Sequence, residues 1–328
     1  RTTHRFVIEY FNFFIFFSFN IFINKQMLLS ILIPTHKDVC IELVHALTLQ
    51  AFTIDDLTWE VVVADDGSTD QKVIAANQSI NNEPNSRYVL YGENIGRAAI
   101  RNFLVTQARG EWLLFIDGDG KVIDDEYLKK FVNSQPVEVC YGGYKMMPGP
   151  KDNLRWLYER YAAPHHQVAD RQQTPYQSFN ICNLMIRREL MLKYPLDNRF
   201  VKYGYEDVLL GKHLQQADIM ITHIDAPIGF FDYETNTHFV AKTEEGLQTL
   251  WEYRKDLQGY SKLLDIALSC NSFCRRVILG IYDINKKRWK QNLLSTSPSL
   301  WIFNLCYAWV KARANPLTLA FPLFFLDR

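Results

Sequence analysis

The stretch Glu111-Trp-Leu-Leu-Phe-Ile-Asp-Gly-Asp-Gly120 is an apolar run that stops at two acids and two glycines. A short apolar run closed by turn residues is typical of a strand buried on both faces. Two upstream stretches have the same form. Residues 28–34 precede a polar turn at 35–38, and residues 59–64 precede a polar turn at 65–70. The sequence therefore predicts three buried strands that each end in a polar turn.

Predicted helices separate these strands. Apolar residues recur at helical spacing over residues 38–51, and residues 96–108 are predicted to form another helix after a strand at 87–91. Alternating strands and helices with short connections predict a parallel sheet covered on both faces. Ligands bind at the carboxyl ends of strands in such sheets. The three polar turns therefore predict one shared site.

The second half of the chain is less regular. Strands are expected within residues 137–143, 179–187 and 219–231, and helices at 151–161 and 206–216. After about residue 244 the pattern becomes helical. We therefore expect a catalytic domain over residues 27–243 and a helical extension over 244–328.

Residues 1–26 do not alternate like a domain element. Their cleanest apolar run, at 13–17, is far shorter than the roughly 20 residues of a spanning helix. The favoured interpretation is translated upstream sequence with Met27 as the true start. The alternative is a membrane or interfacial anchor with Arg1 and Arg5 on the cytoplasmic side.

Bulk composition narrows the class of protein. Hydrophobic residues make up 48% of the chain, which allows a sizeable core. Lys+Arg and Asp+Glu are both 36, and this balance argues against a general nucleic-acid binder, whose footprint is basic. The 6 cysteines are scattered and do not resemble a disulfide framework. They predict reduced thiols and a cytoplasmic location.

The pair Asp117 and Asp119 is the first candidate for chemistry. Hard cations such as Mg²⁺ prefer oxygen ligands and readily bridge to phosphates. A cation held there could neutralise a departing diphosphate. The alternative is a solvated acidic turn.

Two further features lie close to the ends of predicted strands. A carboxylate at Asp66 could accept the N3–H of a uracil ring. The alternative is that this turn only supplies a Ser or Thr cap for the next helix. Arg97 and Arg101 follow Gly96, and arginine is suited to diphosphate oxygens. The alternative for both arginines is a pair of surface cations.

The acids Glu206 and Asp207 open a predicted helix. Carboxylates near a helix N-terminus interact favourably with the helix dipole, so a purely structural role is one interpretation. The other is a general base, because a sugar hydroxyl is barely acidic and needs a positioned carboxylate to take its proton.

Five motifs together resemble glycosyltransferase family 2. They are Pro34-Thr35, Ala-Asp-Asp-Gly-Ser-Thr-Asp at 64–70, Asn-Ile-Gly-Arg-Ala-Ala-Ile-Arg-Asn at 94–102, Gly-Glu-Trp-Leu-Leu-Phe-Ile-Asp-Gly-Asp at 110–119 and Gly-Tyr-Glu-Asp-Val at 204–208. They occur in the family's order and spacing over roughly residues 28–240. The resemblance implies an α/β fold of the GT-A type, a Rossmann-like mixed sheet flanked by helices. It also implies a divalent metal, Mn²⁺ or Mg²⁺, and inversion at the anomeric carbon.

The resemblance also implies residue roles. Thr35 and Asp66 would contact the nucleobase, and Asp207 would be the catalytic base with Glu206 as its companion. The other implied positions contact the donor or the metal: Gly96, Arg97 and Arg101 for the donor, Asp117 and Asp119 for the Asp-x-Asp motif, Asn180 within the pocket stretch 178–183, and His238, with His223 second, for a late metal-binding histidine.

The expected enzyme transfers a hexosyl or N-acetylhexosaminyl group from a nucleotide sugar, with UDP preferred, to a glycan or lipid-linked acceptor in polysaccharide synthesis for the cell envelope. One alternative is a nucleotidyltransferase, although residues 34–38 lack the glycine-rich loop expected of that class. Another is a nucleotide-sugar-binding module without catalysis.

The region from Cys270 to Leu326 mixes apolar clusters with basic residues. Apolar faces flanked by cations suit an anionic headgroup layer, which predicts peripheral contact with the inner face of the cell membrane. The alternative is packing on the catalytic domain or a dimer interface.

Overall fold

The computed structural model describes residues 27–304, apart from residues 136 and 270. The predictions for residues 1–26 and for the apolar clusters beyond residue 304 lie outside the described residues. Within them the strands are β1 (Met27–Thr35), β2 (Leu57–Asp65), β3 (Ser86–Leu90), β4 (Trp112–Ile116), β5 (Gly120–Val122), β6 (Val139–Tyr141), β7 (Tyr144–Met146), β8 (Asn183–Arg187), β9 (Ile221–His223) and β10 (Ile228–Phe230).

Helices cover both faces of the main sheet and continue beyond it. They are α1 (Ile41–Phe52), α2 (Gln71–Gln78), α3 (Arg97–Gln107), α4 (Tyr127–Asn133), α5 (Leu154–Ala162), α6 (Val168–Gln173), α7 (Arg188–Lys193), α8 (Glu206–Gln216), α9 (Asn236–Glu252), α10 (Arg254–Leu257), α11 (Lys262–Ser269) and α12 (Ser272–Leu293).

The main sheet is mixed. Its seven strands lie in the order β3-β2-β1-β4-β8-β6-β9. The pairs between β3, β2, β1 and β4 are parallel, as the alternation of strands and helices predicts. Strand β8 runs antiparallel to both β4 and β6, so the sheet is mixed, as the family resemblance implies. A smaller sheet of order β5-β10-β7 lies beyond the end of β4.

The core lies on both faces of the main sheet, and strand β1 shows why. Ile31 and Ile33 belong to the apolar cluster that includes residues of α1, whereas Leu32 belongs to the cluster that includes residues of α3. Successive side chains of a strand point to opposite faces. An unbroken apolar run therefore needs a helix on each side of the sheet, and this chain supplies both.

The polar turns lie at one edge of the sheet. The Asp66 N–H donates to the Thr35 carbonyl at 2.8 Å, and the Gly118 N–H donates to the Pro34 carbonyl at 3.2 Å. A Cβ on Gly118 would lie 2.9 Å from Thr35 Cβ, so only glycine allows this approach. The three turns that the sequence predicts to share a site are thus held together by backbone contacts.

The helices after β10 pack against the rest of the protein. In α9, Phe239 and Val240 pack on Leu154 of α5. Leu257 of α10 belongs to a cluster with Leu209 of α8. Helix α9 spans the predicted boundary between residues 243 and 244, and that division stays a prediction. In the part of the chain that the structure describes, we find no helix with the length and apolar content to cross a bilayer.

Gly67, in the turn after β2, is expected to be intolerant of a side chain. Its φ is +74°, and an added Cβ would lie 2.5 Å from the Glu93 carbonyl carbon. Positive φ in a non-glycine residue costs about 1–3 kcal/mol. We expect Gly67→Ala to lower the free energy of unfolding in urea by at least that amount. Gly92→Ala is the matched control, since nothing lies within 4 Å of its added Cβ. Equal stability of the two variants would contradict this interpretation of the turn.

Candidate active site

A cavity of about 420 Å³ lies where β4, β8 and the start of α8 meet, and we call it the main cavity. Its walls include three predicted acids, Asp117, Asp119 and Asp207. The remaining residues that line it are Arg97, Tyr144, Met146, Arg155, Tyr158, Glu159, Asn180, Ile181, Cys182, Tyr203, Gly204, Tyr205, Glu206, Val208, Phe230, Asp232, Glu234, Phe239, Lys242, Thr243, Gly246 and Phe303. This volume lies within the roughly 300–1,000 Å³ of pockets that hold a small-molecule ligand.

Asp117 is held by two arginines of α3. The Arg101 guanidinium forms a close ion pair with one carboxylate oxygen, and Arg97 lies 3.8 Å from the other. Burial alone would raise the pKa of Asp117, but the two positive charges outweigh it and hold the pKa below its usual value. Asp117 is therefore a fixed anion whose oxygens are already largely engaged.

Asp119 lies in the opposite electrostatic environment. Burial within the cleft and the negative charges of Asp117 and Asp38 raise its pKa to about 6. Asp119 therefore lies where neighbouring carboxylates disfavour its negative charge. A cation placed there would relieve the repulsion.

The two acids fit a divalent metal that arrives with a phosphate ligand. Among the residues that the structure describes, no three acidic, histidine or cysteine side chains come close enough to hold a metal by themselves. Mg²⁺ is usually bound through one or two carboxylates together with substrate phosphates and water. Asp119 is the better ligand, because Asp117 already contacts two arginines.

Asp66 organises the loop before α3. Its two carboxylate oxygens accept the N–H of Ile95 at 2.7 Å and the N–H of Gly96 at 3.1 Å. His36 Nδ1 lies 2.9 Å from the Asp66 carbonyl oxygen. Each carboxylate oxygen retains a further lone pair, so contact with a nucleobase is compatible with this geometry.

Glu206 and Arg97 connect the two sides of the main cavity. The Arg97 Nε lies 3.3 Å from one oxygen of Glu206, which is only 4% exposed. The second oxygen, Oε2, has no hydrogen-bond partner in the structure. The Tyr203 ring carries Arg97 at 5.1 Å and Lys242 at 4.6 Å from its centroid. Two cations, Arg97 and Lys242, therefore lie in the wall of the cavity that contains the acids.

Asp207 lies at the start of α8. The turn before this helix needs left-handed backbone, with φ of +93° at Gly204 and +72° at Tyr205. This turn presents the acid to the cavity, where one carboxylate oxygen accepts the Val208 N–H at 2.8 Å. Burial and the adjacent charge of Glu206 raise the pKa of Asp207 to about 7. A carboxylate with this pKa is a much stronger base than a solvated aspartate.

The main cavity is also lined by charged and polar residues that the sequence did not identify as site residues. Glu159 is buried, accepts the Tyr144 hydroxyl at 3.1 Å and pairs with Arg155 at 2.9 Å. Arg155 also lies 3.7 Å from Glu234, which in turn pairs with Lys242 at 3.7 Å. Tyr144 lies on β7, Arg155 and Glu159 lie on α5, Glu234 lies in the loop before α9, and Lys242 lies on α9. No local signal in the sequence predicted their contribution.

Several predicted site residues lie outside the walls of the main cavity. Thr35, Asp66 and Gly96 lie at the same edge of the sheet but do not line it. Arg101 is 2% exposed and lies behind Asp117, so the alternative of a surface cation is wrong for this residue. Its contact with a donor stays a prediction.

Neither candidate histidine lines the main cavity. His238 is exposed, does not line the main cavity, and its Nδ1 pairs with Glu234 at 2.6 Å. His223 is buried among core residues, and its Nε2 lies 3.1 Å from the Pro175 carbonyl oxygen. The structure does not bring either imidazole to Asp119. Asn180, by contrast, lines the cavity as predicted from its stretch.

Comparisons with known proteins agree on one family. The model of the family described as glycosyl transferase family 2 matches residues 30–194. An uncharacterized glycosyltransferase of Haemophilus influenzae is 26% identical over 119 residues, which cover 36% of this chain and 47% of that protein. A putative teichuronic acid biosynthesis glycosyltransferase of Bacillus subtilis, TuaG, is 27% identical over 128 residues, 38% of this chain and 49% of that protein. The match thus spans about half the length of these curated relatives.

A solved structure shares the fold. The mannosyltransferase PcManGT of Pyrobaculum calidifontis, in complex with GDP-Man and Mn²⁺, aligns over 88% of this chain and 86% of its own. The TM-score is 0.51 and the identity is 15%. This likeness concerns the fold alone.

Proposed function

Because the chain belongs to glycosyltransferase family 2, we propose that it transfers a sugar from a nucleoside diphosphate to an acceptor hydroxyl with inversion at the anomeric carbon. The observation that carries the proposal is the pair of acids Asp119 and Asp207 in the walls of one cavity. Burial and neighbouring carboxylates disfavour the charge of Asp119, which a bound cation would stabilise, and Asp207 is a carboxylate of raised pKa suited to take a proton.

The donor would lie along the carboxyl edge of the sheet. Asp66 and Thr35 would contact the base, and the family resemblance favours uracil. The diphosphate would extend toward Arg97 and Lys242, which supply fixed positive charge beside the Tyr203 ring. Asp119, assisted by Asp117, would hold a divalent metal. When bound, such a metal stabilises the charge on the departing diphosphate.

Asp207 would then act on the acceptor. An acceptor hydroxyl within reach of this carboxylate loses its proton as its oxygen attacks C1 of the donor sugar, and the bond from C1 to the diphosphate breaks on the opposite face. Because the acceptor oxygen attacks C1 from the face opposite the departing diphosphate, the anomeric configuration is inverted. Glu206 fixes Arg97 and keeps one oxygen free to accept a hydrogen bond from the acceptor.

The relatives support a role in polysaccharide synthesis with a metal. The name of the Bacillus subtilis relative refers to teichuronic acid biosynthesis. The Pyrobaculum protein binds GDP-Man together with Mn²⁺. We propose a UDP-hexose or UDP-N-acetylhexosamine donor, Mn²⁺ or Mg²⁺ as the metal, and a glycan or lipid-linked acceptor of the cell envelope at the cytoplasmic face of the membrane.

A donor screen tests the proposed function. The full chain is incubated with UDP-sugars and GDP-sugars, with and without Mn²⁺, and the released nucleoside diphosphate is measured. Metal-dependent release from a UDP-sugar is expected. Formation of pyrophosphate from a nucleoside triphosphate and a sugar phosphate would instead identify a nucleotidyltransferase. Metal-dependent binding of a UDP-sugar without turnover on any acceptor of a broad panel would indicate a binding module.

The rate is expected to depend on pH through Asp207. The base is active only when deprotonated, and its pKa is raised to about 7. We therefore expect kcat/KM to fall about tenfold for each unit below that pKa and to level off above it, since kcat/KM reports the groups of the free enzyme. A profile that stays flat from about pH 5.5 to 8 would contradict the assignment.

Helix α12 supports peripheral contact with an anionic membrane. It exposes the apolar side chains Phe273 and Ile284, which are 73% and 83% accessible. The basic side chains Arg276, Lys287 and Arg288 on the same helix are also exposed. Apolar side chains flanked by cations favour the interface of anionic lipid.

Sedimentation with vesicles tests this contact. We expect the chain to bind phosphatidylglycerol vesicles at low salt more strongly than neutral phosphatidylcholine vesicles, and Ile284→Glu to weaken binding several-fold. Leu49→Glu on α1 is the control, because Leu49 is 56% exposed on another helix. Equal sedimentation with both lipids would remove the membrane proposal and favour packing between protein surfaces.

A further inference from the structure

A second hollow, which we call the side cavity, has a volume of about 210 Å³. It shares Tyr144 and Asn180 with the main cavity, so the two are adjacent. Its volume is below the roughly 300–1,000 Å³ of pockets that hold a complete small-molecule ligand. The size suits one substituent of a molecule that is bound mainly elsewhere.

The side cavity is lined by hydrogen-bond donors and aromatic rings. The residues that line it are Tyr141, Tyr144, His165, His166, Arg171, Gln177, Ser178, Phe179 and Asn180. None of these described residues is a carboxylate. In this respect the side cavity is the electrostatic opposite of the main cavity, where acids predominate.

Arg171 is the central cation of the side cavity. It is only 8% exposed, and its guanidinium stacks over the Tyr141 ring at 5.1 Å. Its Nη2 donates to the Ile224 carbonyl at 2.8 Å, but its Nε has no hydrogen-bond partner. Within the described residues, no carboxylate lies within 4.0 Å of it; Asp225 acts on it only at longer range. An arginine keeps its charge even when buried, and a buried charge without a partner is costly.

A purely structural role explains part of this arrangement. The bond to Ile224 fixes helix α6 to the segment that follows β9, and stacking on Tyr141 adds to the packing. That role does not explain why the Arg171 side chain lines a hollow. It also does not explain why His165 and His166, both exposed, line the same hollow. An anion bound in the hollow would lie beside all three of these side chains.

Resting on the proposed function, we propose that the side cavity is an acceptor subsite that binds one negatively charged substituent, a sugar carboxylate or a phosphodiester, close to the hydroxyl that receives the sugar. The substituent accepts hydrogen bonds from Arg171 and the two histidines. The rest of the acceptor passes Asn180 and Tyr144 into the main cavity, where Asp207 lies. The enzyme thereby selects an anionic acceptor over a neutral one.

The arginine Nε–H resonance of Arg171 gives a direct readout in the ¹⁵N-labelled full chain, and its loss in Arg171→Lys assigns it. The probes are methyl glucuronide, methyl glucoside and dimethyl phosphate. We expect at least one anion to shift the resonance with an affinity at least about tenfold higher than that of the neutral glucoside, because the hydrogen bonds are charge-assisted. A response to glucuronide alone identifies a sugar carboxylate, and a response to dimethyl phosphate alone identifies a phosphodiester.

Histidine variants provide a test that does not depend on replacing a buried residue. The double variant His165→Gln and His166→Gln is expected to weaken anion binding several-fold, whereas His45→Gln leaves it unchanged. His45 is also exposed but lies on α1, where it pairs with Glu83. Equal affinity for glucoside and glucuronide without a response to dimethyl phosphate, or no response to any anion, would overturn the proposal.

Release of nucleoside diphosphate from the donor is measured on the same samples. A chain that binds the anions at Arg171 but releases no nucleoside diphosphate keeps the side cavity as an anion site and rejects the proposed transfer. A chain that releases nucleoside diphosphate but binds no anion at Arg171 keeps the transfer and rejects the subsite.

Discussion

Asp207→Asn is expected to lower kcat by about 10²–10⁴-fold while leaving donor affinity nearly unchanged. Asparagine has the same shape as aspartate and can still accept the Val208 N–H through its carbonyl oxygen. It cannot take a proton from an acceptor hydroxyl. The loss should therefore appear in turnover with acceptor and should remove the pH dependence below pH 7, whereas binding of the nucleotide sugar should remain.

Steady-state kinetics with a UDP-sugar and acceptor measure this effect, and calorimetry measures donor binding separately. Asp218→Asn is the matched control. Asp218 follows the same helix at its other end and has a φ of +56°, which asparagine tolerates well. A kcat for Asp207→Asn within a few-fold of the unchanged chain would mean that another group takes the proton.

The second large effect is expected from Asp119→Ala. Removing this carboxylate takes away the better of two metal ligands. We expect metal-dependent donor affinity to fall by more than about tenfold, because even the loss of a residue that only hydrogen-bonds to a metal ligand costs about that much. The fold should not suffer. Burial and the negative charges of Asp117 and Asp38 raise the pKa of Asp119 to about 6, so removal of this carboxylate relieves an unfavourable buried charge at neutral pH.

Calorimetry with a UDP-sugar, with and without Mn²⁺, gives the affinity, and thermal unfolding gives Tm. Asp125→Ala, six residues further along, is the control because Asp125 is exposed outside the main cavity. If the Asp119 variant binds the donor with unchanged metal dependence, the metal is held elsewhere. If its Tm falls sharply, the acid has a structural role that its environment does not indicate.

The sequence predicted the bounds of several strands and helices closely. Strand β4 ends at Ile116, where the apolar run meets Asp117, and the observed helix at 206–216 matches its predicted range. Strand order beyond β4 could not be predicted in the same way. A buried apolar run such as β8 shows that both of its faces are covered, but it does not show which strand lies beside it or in which direction.

The acids of the site could be predicted because each follows a strand or opens a helix. Their partners could not. Arg101 satisfies Asp117 from a buried position, and burial depends on how α3 packs across the sheet. Glu159 lies on α5 and Lys242 lies on α9. The sequence does not show that these two helices pack beside the cavity. The family resemblance led us to expect a metal-binding histidine late in the domain. The structure instead places Lys242 in the cavity, and no sequence motif marks that residue.

Synthesis of this chain on the ribosome leaves the edge of β4 uncovered for a time. Every residue of β4 is buried in the finished sheet, and its outer edge pairs only with β8. The residues of β8 are made roughly 70 residues later, and at about 5–20 residues per second this delay lasts several seconds. An apolar strand with an open edge is a template for pairing with another chain. The nascent chain is therefore exposed to aggregation at this edge until β8 is made, and chaperone binding to β4 is expected during that interval.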